Sequence, residues 1–456
     1  MSLRFLTAGE SHGAALVGII EGIPSGLALD AATLLAQARR RKLGFGRGNR
    51  QNIETDEVRI VAGVRRGFTI GSPIGLILEN KDHARWAEIM RVDAPGDDTP
   101  AAREVHVPRP GHADRIGGIK YARADLRDVL ERASARETAM RVALGTVART
   151  LLAELSVTLS SRVVRIGSVV DESPWRDVPP DEIDASPVRA LDPVAAAAMV
   201  GEIERAKAAG DSLGGVFEVV ARGVPVALGS YAQWDRRLEG EVAKTFMALN
   251  AIKGVEIGLG FGVAAIPGSQ AHDEYEPGGD ALGGVFEVLA FNVPVGLGSY
   301  AQWDRRLEAE VGRAFLSLNA IKGVELGLGF GAAARMGSQA HDPYEPGDGV
   351  RTRYRSNNAG GIEGGMSTGQ PIVVRVGMKP IATLMKPLDS VDLRTGEAVK
   401  AHIERSDTCA VPAAAVIGES LLALALAAAV LEKFGGDSLE ELRERVRAWE
   451  TTVRAR

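Results

Sequence analysis

Apolar and polar positions change period several times along this chain, and each change predicts an element. Residues 4–8 read as a short strand running into Gly9-Glu10-Ser11-His12-Gly13, where small residues bring polar side chains to the strand's end. From 30 to 41 the spacing turns helical behind an Asp30 cap. Stretches 58–63 and 68–78 return to β-formers with glycine breaks, which predicts antiparallel strands. Segment 93–102, rich in Asp, Pro and Ala, reads as a surface loop. Residues 124–155 are helical in two pieces that meet at Arg132-Ala133-Ser134-Ala135-Arg136-Glu137, and 171–193 reads as a loop or linker. Near the end, 371–376 is a strand, 413–433 an Ala-rich helix closed by Gly435-Gly436, and 438–449 an amphipathic helix.

The middle of the chain repeats itself. Residues 210–278 are followed at once by a near copy, 279–347, with roughly three-quarters of the 69 aligned positions identical. Each copy reads strand, strand, helix, strand, which in the first is 216–220, 224–228, 238–249 and 254–260. Two copies are too few for a solenoid, so a tandem duplication inside one domain spanning 1–456 is the simpler reading.

Composition narrows the classes. At 456 residues and 45% apolar content the chain can bury a large core. A net charge of −5 argues against bulk attraction to nucleic acid or an anionic membrane and leaves a small-molecule ligand. The single cysteine, Cys409, allows no internal disulfide and fits a reducing compartment. The first 20 residues carry Arg4, Glu10 and His12 without a long apolar run, so no export signal is expected. The greasiest stretch, 420–431, is 12 residues between Glu419 and Glu432, too short to span a bilayer, and a cytoplasmic protein is expected. No Walker-type Gly-Lys-Ser/Thr occurs, and Gly44-Phe45-Gly46 lacks the third glycine of a dinucleotide fingerprint. His106 and His112, the closest histidine pair, have no supporting ligand spacing, so no metal site is expected.

What remains is arginine, histidine and one carboxylate. Pro108-Arg109-Pro110-Gly111-His112-Ala113-Asp114 would present Arg109 and His112 on a stiff turn, as a proton donor beside an anion partner. His12 is the second candidate acid. The run Arg39 to Lys42, followed by glycine-spaced Arg47 and Arg50, is either a dipole-favoured helix end or an oxyanion site, and the glycines favour the second. Arg132 and Arg136 at a helix start suit a phosphate, or equally surface ion pairing with Glu131 and Glu137. The glycine-rich stretch 353–369 suits a backbone lying against a planar or phosphorylated ligand, or a plain hairpin. Two histidines, Asp407 and many arginines suit proton transfer on a polyanion.

Gly9-Glu10-Ser11-His12-Gly13, Gly46-Arg47-Gly48, Arg109-Pro110-Gly111-His112-Ala113-Asp114, Asn358-Ala359-Gly360-Gly361-Ile362 and Arg405-Ser406-Asp407 resemble motifs of the chorismate synthase family, in that family's order and over nearly the whole chain. The resemblance implies an α+β fold, a β-α-β sandwich of antiparallel sheets around helices, assembled as a homotetramer. It implies a lyase of the shikimate pathway that uses reduced FMN to remove phosphate and a ring proton from 5-enolpyruvylshikimate-3-phosphate, without net redox change. Carried over by residue, His12 would protonate the departing phosphate, His112 the reduced flavin, and Asp407 would work in removing the ring proton. Arg41, Arg47, Arg50, Arg109, Arg136 and Arg405 would hold the substrate's anionic groups. Flavin contacts would fall on Arg132, Ala133, Ser134, Gly364, Lys379, Pro380, Ile381, Ala382, Thr383 and Arg405. The family has the repeated unit once, so its flavin-contacting Asn-Ala pair appears twice here, as Asn250-Ala251 and Asn319-Ala320. The second pair is expected to serve, because its connection to Arg353 is short and costs less loop-closure entropy. Two rival readings remain. One is a non-catalytic flavin- or phosphate-binding protein repurposed by the duplication. The other is a bifunctional enzyme that reduces its own flavin with NADPH, against which the missing nucleotide fingerprint counts.

Overall fold

The computed structural model describes residues 3–46, 53–93, 103–155, 157–174, 178–224, 228–267, 284–347, 353–379, 389–391, 395, 397–400, 422, 425–426, 429–434 and 439–455. Two compact units emerge: Met1–Pro108 with Arg123–Val226 and Gly331–Ala340, and Arg109–Ala122 with Ala227–Phe330 and His341–Arg456.

In the first unit, β1 (Arg4–Ala8), β2 (Ala15–Glu21), helix α1 (Ala31–Lys42), β3 (Val58–Ala62) and β4 (Ile74–Glu79) follow in chain order. The strands form an antiparallel sheet in the order β1-β2-β4-β3. Two-residue alternation buries Leu16, Ile20, Ile74, Leu76 and Leu78. Helix α2 (Arg127–Ala133) precedes α3 (Thr138–Glu154), which lays Met140, Ala143, Leu144 and Val147 into the same core. Each buried Leu, Ile, Val or Met side chain in it stabilises by about 1.5–3 kcal/mol. Helix α1 starts where the Asp30 carboxylate accepts from the Thr33 N–H at 2.8 Å, and it ends in Arg39, Arg40, Arg41 and Lys42, which complement the C-terminal dipole.

The expected break in 124–155 falls at Ser134. Stretch 68–78 breaks at its glycine as expected: Gly71 adopts φ 80° and Pro73 has no N–H for a ladder, so Phe68–Thr69 stands apart and β4 begins at Ile74. One expectation needs correction. The supposed linker 171–193 contains the helix Pro180–Ala185, with proline in its first turn. The unit closes with β5 (Thr158–Ile166), α4 (Pro193–Ala208) and β6 (Gly215–Arg222), where β5 and β6 pair antiparallel. Asp192 caps α4 by accepting from the Val194 and Ala195 N–H groups at 3.0 and 3.3 Å. Asp192→Ala is expected to cost about 1 kcal/mol, read as a lower urea midpoint.

The second unit holds α5 (Leu238–Met247), β7 (Gly254–Glu256), β8 (Gly284–Ala290), α6 (Leu307–Leu316), β9 (Ile321–Leu326), β10 (Ile372–Met378) and α7 (Leu439–Arg454). Its antiparallel sheet runs β7-β9-β10-β8. Ile372, Val374 and Val376 of β10 are buried against Val324, Leu326, Val311 and Phe315. The fold class is α+β, as expected. Within the second repeat, 293–297 is a turn rather than a strand, because Pro294 cannot donate and Gly296 sits at φ 82°. In the first repeat the last strand ends at Glu256 instead of running to 260, since Gly258 and Gly260 take φ of 65° and 55° and turn the chain into a 3-10 helix. The described part of 413–433 is helical, and its remainder, like most of loop 93–102, lies outside the described residues. No helix among the described residues is long and apolar enough to cross a membrane.

Candidate active-site residues

The end of β1 delivers His12 in the first unit. Ser11 N–H donates to the Glu131 carbonyl at 2.9 Å and the His12 N–H to the Glu131 carboxylate at 2.9 Å, so two consecutive amides pin the loop to α2. The His12 Nδ1 lies 2.9 Å from both carboxylate oxygens. A carboxylate only accepts, so this contact fixes the Nδ1–H tautomer and leaves Nε2 as the proton-exchanging atom. The ring stacks on Trp86 at 4.0 Å between centroids, and the Arg103 and Arg127 guanidinium groups stand 4.5 and 5.3 Å from that indole. Arg127 also reaches Glu131 at 3.4 Å, and Asp82 lies 3.9 Å from His12 Nε2.

Around this loop the three expected flavin contacts of α2 gather. Arg132 donates to the carbonyls of Thr7 and Gly9 at 2.9 and 3.1 Å, and the Ser134 hydroxyl donates to Ser11 at 3.1 Å, with Ala133 between them. Arg41 and Arg136 meet at Asp56. Arg136 donates from Nε to Asn80 at 3.0 Å, reaches Glu54 at 3.1 Å and pairs with Asp56, while Arg41 lies 3.5 Å from Asp56 and donates to Thr138 at 3.0 Å. Glu137 is not on the surface; it accepts from Thr7 at 2.6 Å and pairs with Arg141. Arg47 and Arg50 lie outside the described residues.

In the second unit the turn before helix Asp114–Lys120 folds onto its own first residue. Asp114, fully buried, accepts from the Arg109 side chain at 2.8 and 3.1 Å and stands 2.6 Å from His112 Nδ1. Burial pushes the Asp114 carboxyl up, but the His112 and Arg109 hydrogen bonds outweigh it and hold the group well below the usual carboxylate range. His112 is thus oriented as His12 is, by a carboxylate on Nδ1. Gly111 at φ 74° is obligatory, since a Cβ there would lie 2.2 Å from the His341 ring. Gly364 at φ 58° would likewise drive a Cβ to 2.5 Å from the Ala113 side chain. The loop 357–361 is held by buried Asp342, which accepts from the Asn358 and Ala359 N–H groups at 2.7 and 2.9 Å.

Glu363 is the residue that sequence reading passed over inside a glycine-rich motif. It accepts from Gly111 N–H at 3.2 Å, and from the Tyr344 and Tyr354 hydroxyls at 3.3 and 3.2 Å. Burial, opposed by the Lys253 charge and reinforced by Asp342, pushes it up to about 7. The folded state therefore keeps a proton that the unfolded chain releases from about pH 4.5, so stability should fall as pH rises from there through about 7. Glu363→Gln, which carries no such charge, is expected to gain on the native chain over that window and to hold a constant margin above it, as read from urea midpoints across pH.

The two Asn-Ala pairs differ in surroundings. Both alanines adopt φ 67°. The Ala320 carbonyl accepts from Lys379 N–H at 2.8 Å, which joins two expected flavin contacts, and Asn319 accepts from Arg237 at 2.8 Å. Ala251 is exposed. Pro380, Ile381, Ala382, Thr383, Arg405 and Asp407 lie outside the described residues.

Comparison with known proteins gives a consistent answer. The family model for chorismate synthase matches residues 3–278 and again 275–431, as a duplicated unit requires. A protein named chorismate synthase from Moorella thermoacetica is 47% identical over 453 residues, covering 98% of both chains. One of the same name from Desulforudis audaxviator is 48% identical, covering 99% of this chain and 98% of that one. Chorismate synthase 1 of Bacillus thuringiensis is 44% identical over 97% of each.

Proposed function

The chain belongs to the chorismate synthase family, and from that premise we propose that His12 and His112, each oriented by a carboxylate on Nδ1, are its two proton-transfer groups. The reaction is the 1,4-elimination of phosphate from 5-enolpyruvylshikimate-3-phosphate, and the chain is a lyase. The observation that carries the residue assignment is the shared carboxylate–histidine geometry, which leaves Nε2 of each ring to exchange a proton.

His12 Nε2 protonates the departing phosphate, with Glu131 balancing the charge that the ring carries beforehand. His112 holds the proton for the cofactor, and Asp114, kept ionised, fixes its ring. Arg41, Arg47, Arg50, Arg109 and Arg136 hold the substrate's phosphate and carboxylates. Asp407 and Arg405 act at the ring proton and its anionic neighbours. The family works with a reduced flavin, and reduced FMN is the cofactor on this reading. The resemblance assigns it to Arg132, Ala133, Ser134, Asn319, Ala320, Gly364, Lys379, Pro380, Ile381, Ala382, Thr383 and Arg405, and the cationic and hydroxyl side chains among these suit a phosphorylated, anionic group. When bound, it supplies the electron-rich ring that makes the elimination feasible without net oxidation. The partners are a small-molecule substrate and further copies of the chain, with no nucleic acid or membrane, and the compartment is the cytoplasm.

The test is anaerobic phosphate release from 5-enolpyruvylshikimate-3-phosphate with chemically reduced FMN, alongside FMN titration. The native chain should release phosphate, and Asn319→Ala should weaken FMN binding while Asn250→Ala leaves it unchanged. FMN binding without phosphate release would favour the non-catalytic reading. Equal loss in both variants would overturn the assignment of the second pair.

A further inference from the structure

The two repeats are alike in sequence and unlike in surroundings. Leu297 and Leu307 of the second are 0% and 1% exposed, whereas their counterparts Leu228 and Leu238 in the first are 53% and 44% exposed. Tyr231 is 96% exposed, while its counterpart Tyr300 is half-buried. By packing alone the first repeat would be a passenger on the second. One of its side chains contradicts that.

The Lys253 ammonium, on a side chain 21% exposed, donates to the Ile362 carbonyl at 2.7 Å and to the Ala359 carbonyl at 3.4 Å, and it lies 3.8 Å from the Glu308 carboxylate. Glu308 is buried and accepts from the Gly365 N–H at 3.3 Å. The pair Glu363-Gly364 is therefore held from both ends, at the carbonyl before it by Lys253 and at the N–H after it by the carboxylate that Lys253 partners. The turn needs such holding. Glu363 pairs with Met366 across Gly364 and Gly365, which adopt φ of 58° and 90°, and two glycines have no side chains to fix their own conformation. What they carry abuts the His112 turn: Glu363 accepts from the Gly111 N–H at 3.2 Å, and a Cβ on Gly364 would lie 2.5 Å from the Ala113 side chain.

The second repeat supplies a natural control. Lys322, the counterpart of Lys253, keeps the equivalent ion pair at 3.5 Å from Glu239. The sequence has the 353–369 stretch once, and among the described residues it is Lys253 that donates to it.

We propose that Lys253 of the first repeat is a positioning residue for the Glu363-Gly364 turn, so that the duplicated unit supplies a working part of the site it adjoins. Resting on the assignments of His112 and Gly364 above, this makes the first repeat necessary for cofactor affinity even though the Asn-Ala pair that serves lies in the second. Glu363 is faced by the Tyr344 and Tyr354 hydroxyls, by Asp342 and by Lys253, with Arg115 at 5.8 and 5.6 Å from the two tyrosine rings and the His341 ring beside Gly111. Burial raises the Glu363 carboxyl, and the Lys253 charge is the largest influence against it.

The test compares Lys253→Met with Lys322→Met in the full chain. FMN, followed by quenching of its fluorescence, should bind about tenfold more weakly to Lys253→Met and unchanged to Lys322→Met, which loses an equivalent ion pair but no loop contact. Lys253→Arg should recover most of the affinity. Urea midpoints across pH give a readout that loose packing would not move. In the native chain the fall in stability with rising pH ends at about 7; without the Lys253 charge the Glu363 carboxyl moves up further, so the fall should continue to higher pH in Lys253→Met and not in Lys322→Met. Lys253→Gln stands in if Lys253→Met does not fold. Equal FMN affinity in the two methionine variants overturns the proposal, as does failure of both Lys253→Met and Lys253→Gln to fold. Should the native chain take up no FMN, it is the cofactor reading that falls, and the pH profile alone decides, one profile for both variants overturning the positioning role.

Discussion

His112→Ala is expected to slow anaerobic phosphate release by about 10²–10⁴-fold, with little change in substrate KM. The expectation rests on geometry rather than on the mere presence of a histidine. Asp114 is fully buried, is held ionised by hydrogen bonds from His112 and Arg109 and stands 2.6 Å from His112 Nδ1. It therefore dictates which nitrogen carries the exchangeable proton. Asp114→Asn keeps the volume but can donate to Nδ1, which favours the opposite tautomer. It should lose much of the same rate while leaving the melting temperature nearly in place, provided Arg109 keeps one acceptor. Arg109→Ala removes a partner of Asp114 together with the Nη2 group that lies 3.1 Å from His112 Nδ1, so its cost should appear in kcat as well as in KM. A His112→Ala chain with native kcat would remove His112 from the proton-transfer role and leave it as a loop residue beside a structural ion pair.

How much of this could be read from the chain depends on how far apart the partners lie. The period of β2 and β4, the Asp30 cap and the break near Ser134 are local signals, and the structure agrees with them. The glycine break in 68–78 is equally local, since Gly71 and Pro73 stop the ladder whatever the β-formers on either side prefer. The same divide runs through the candidate site. Asp114 is two residues from His112, within a motif that already drew notice. Glu131 is 119 residues from His12, and no pattern in either segment announces the pairing. Glu54, Asp56 and Asn80, the acceptors of Arg136, are ordinary polar residues in sequence and become informative only when buried together. The duplication itself was legible by eye. Which repeat sits in the core was not, because the two are nearly identical and only their neighbours distinguish them.

Arg136→Met is expected to destabilise the fold by about 3–5 kcal/mol, read as a large drop in urea midpoint. The Arg136 side chain is 6% exposed, and its carboxylate partners Glu54 and Asp56 are 2% and 1% exposed. Removing the guanidinium takes from Glu54 its partner at 3.1 Å and from Asp56 the nearer of its two arginines, with Arg41 staying at 3.5 Å, and removing one member is the costly way to break such a buried cluster. Neutralising both in the same background, with Glu54→Gln and Asp56→Asn, should recover most of the loss, because the penalty belongs to uncompensated charge rather than to the missing side chain. Arg136→Lys should fall between, since one ammonium cannot reach Asn80, Glu54 and Asp56 from a planar fork. A loss under about 1 kcal/mol for Arg136→Met would mean that water reaches the cluster and screens it. The bonds from Arg136 to Asn80, Asp56 and Glu54 use three of the five guanidinium N–H groups, and on the proposed function the other two would face a substrate anion. On that reading Arg136 serves the substrate only while its internal partners hold it in place, and stability and substrate affinity should fall together in Arg136→Met but separate in Arg41→Met, whose side chain is 15% exposed and lies 3.5 Å from Asp56.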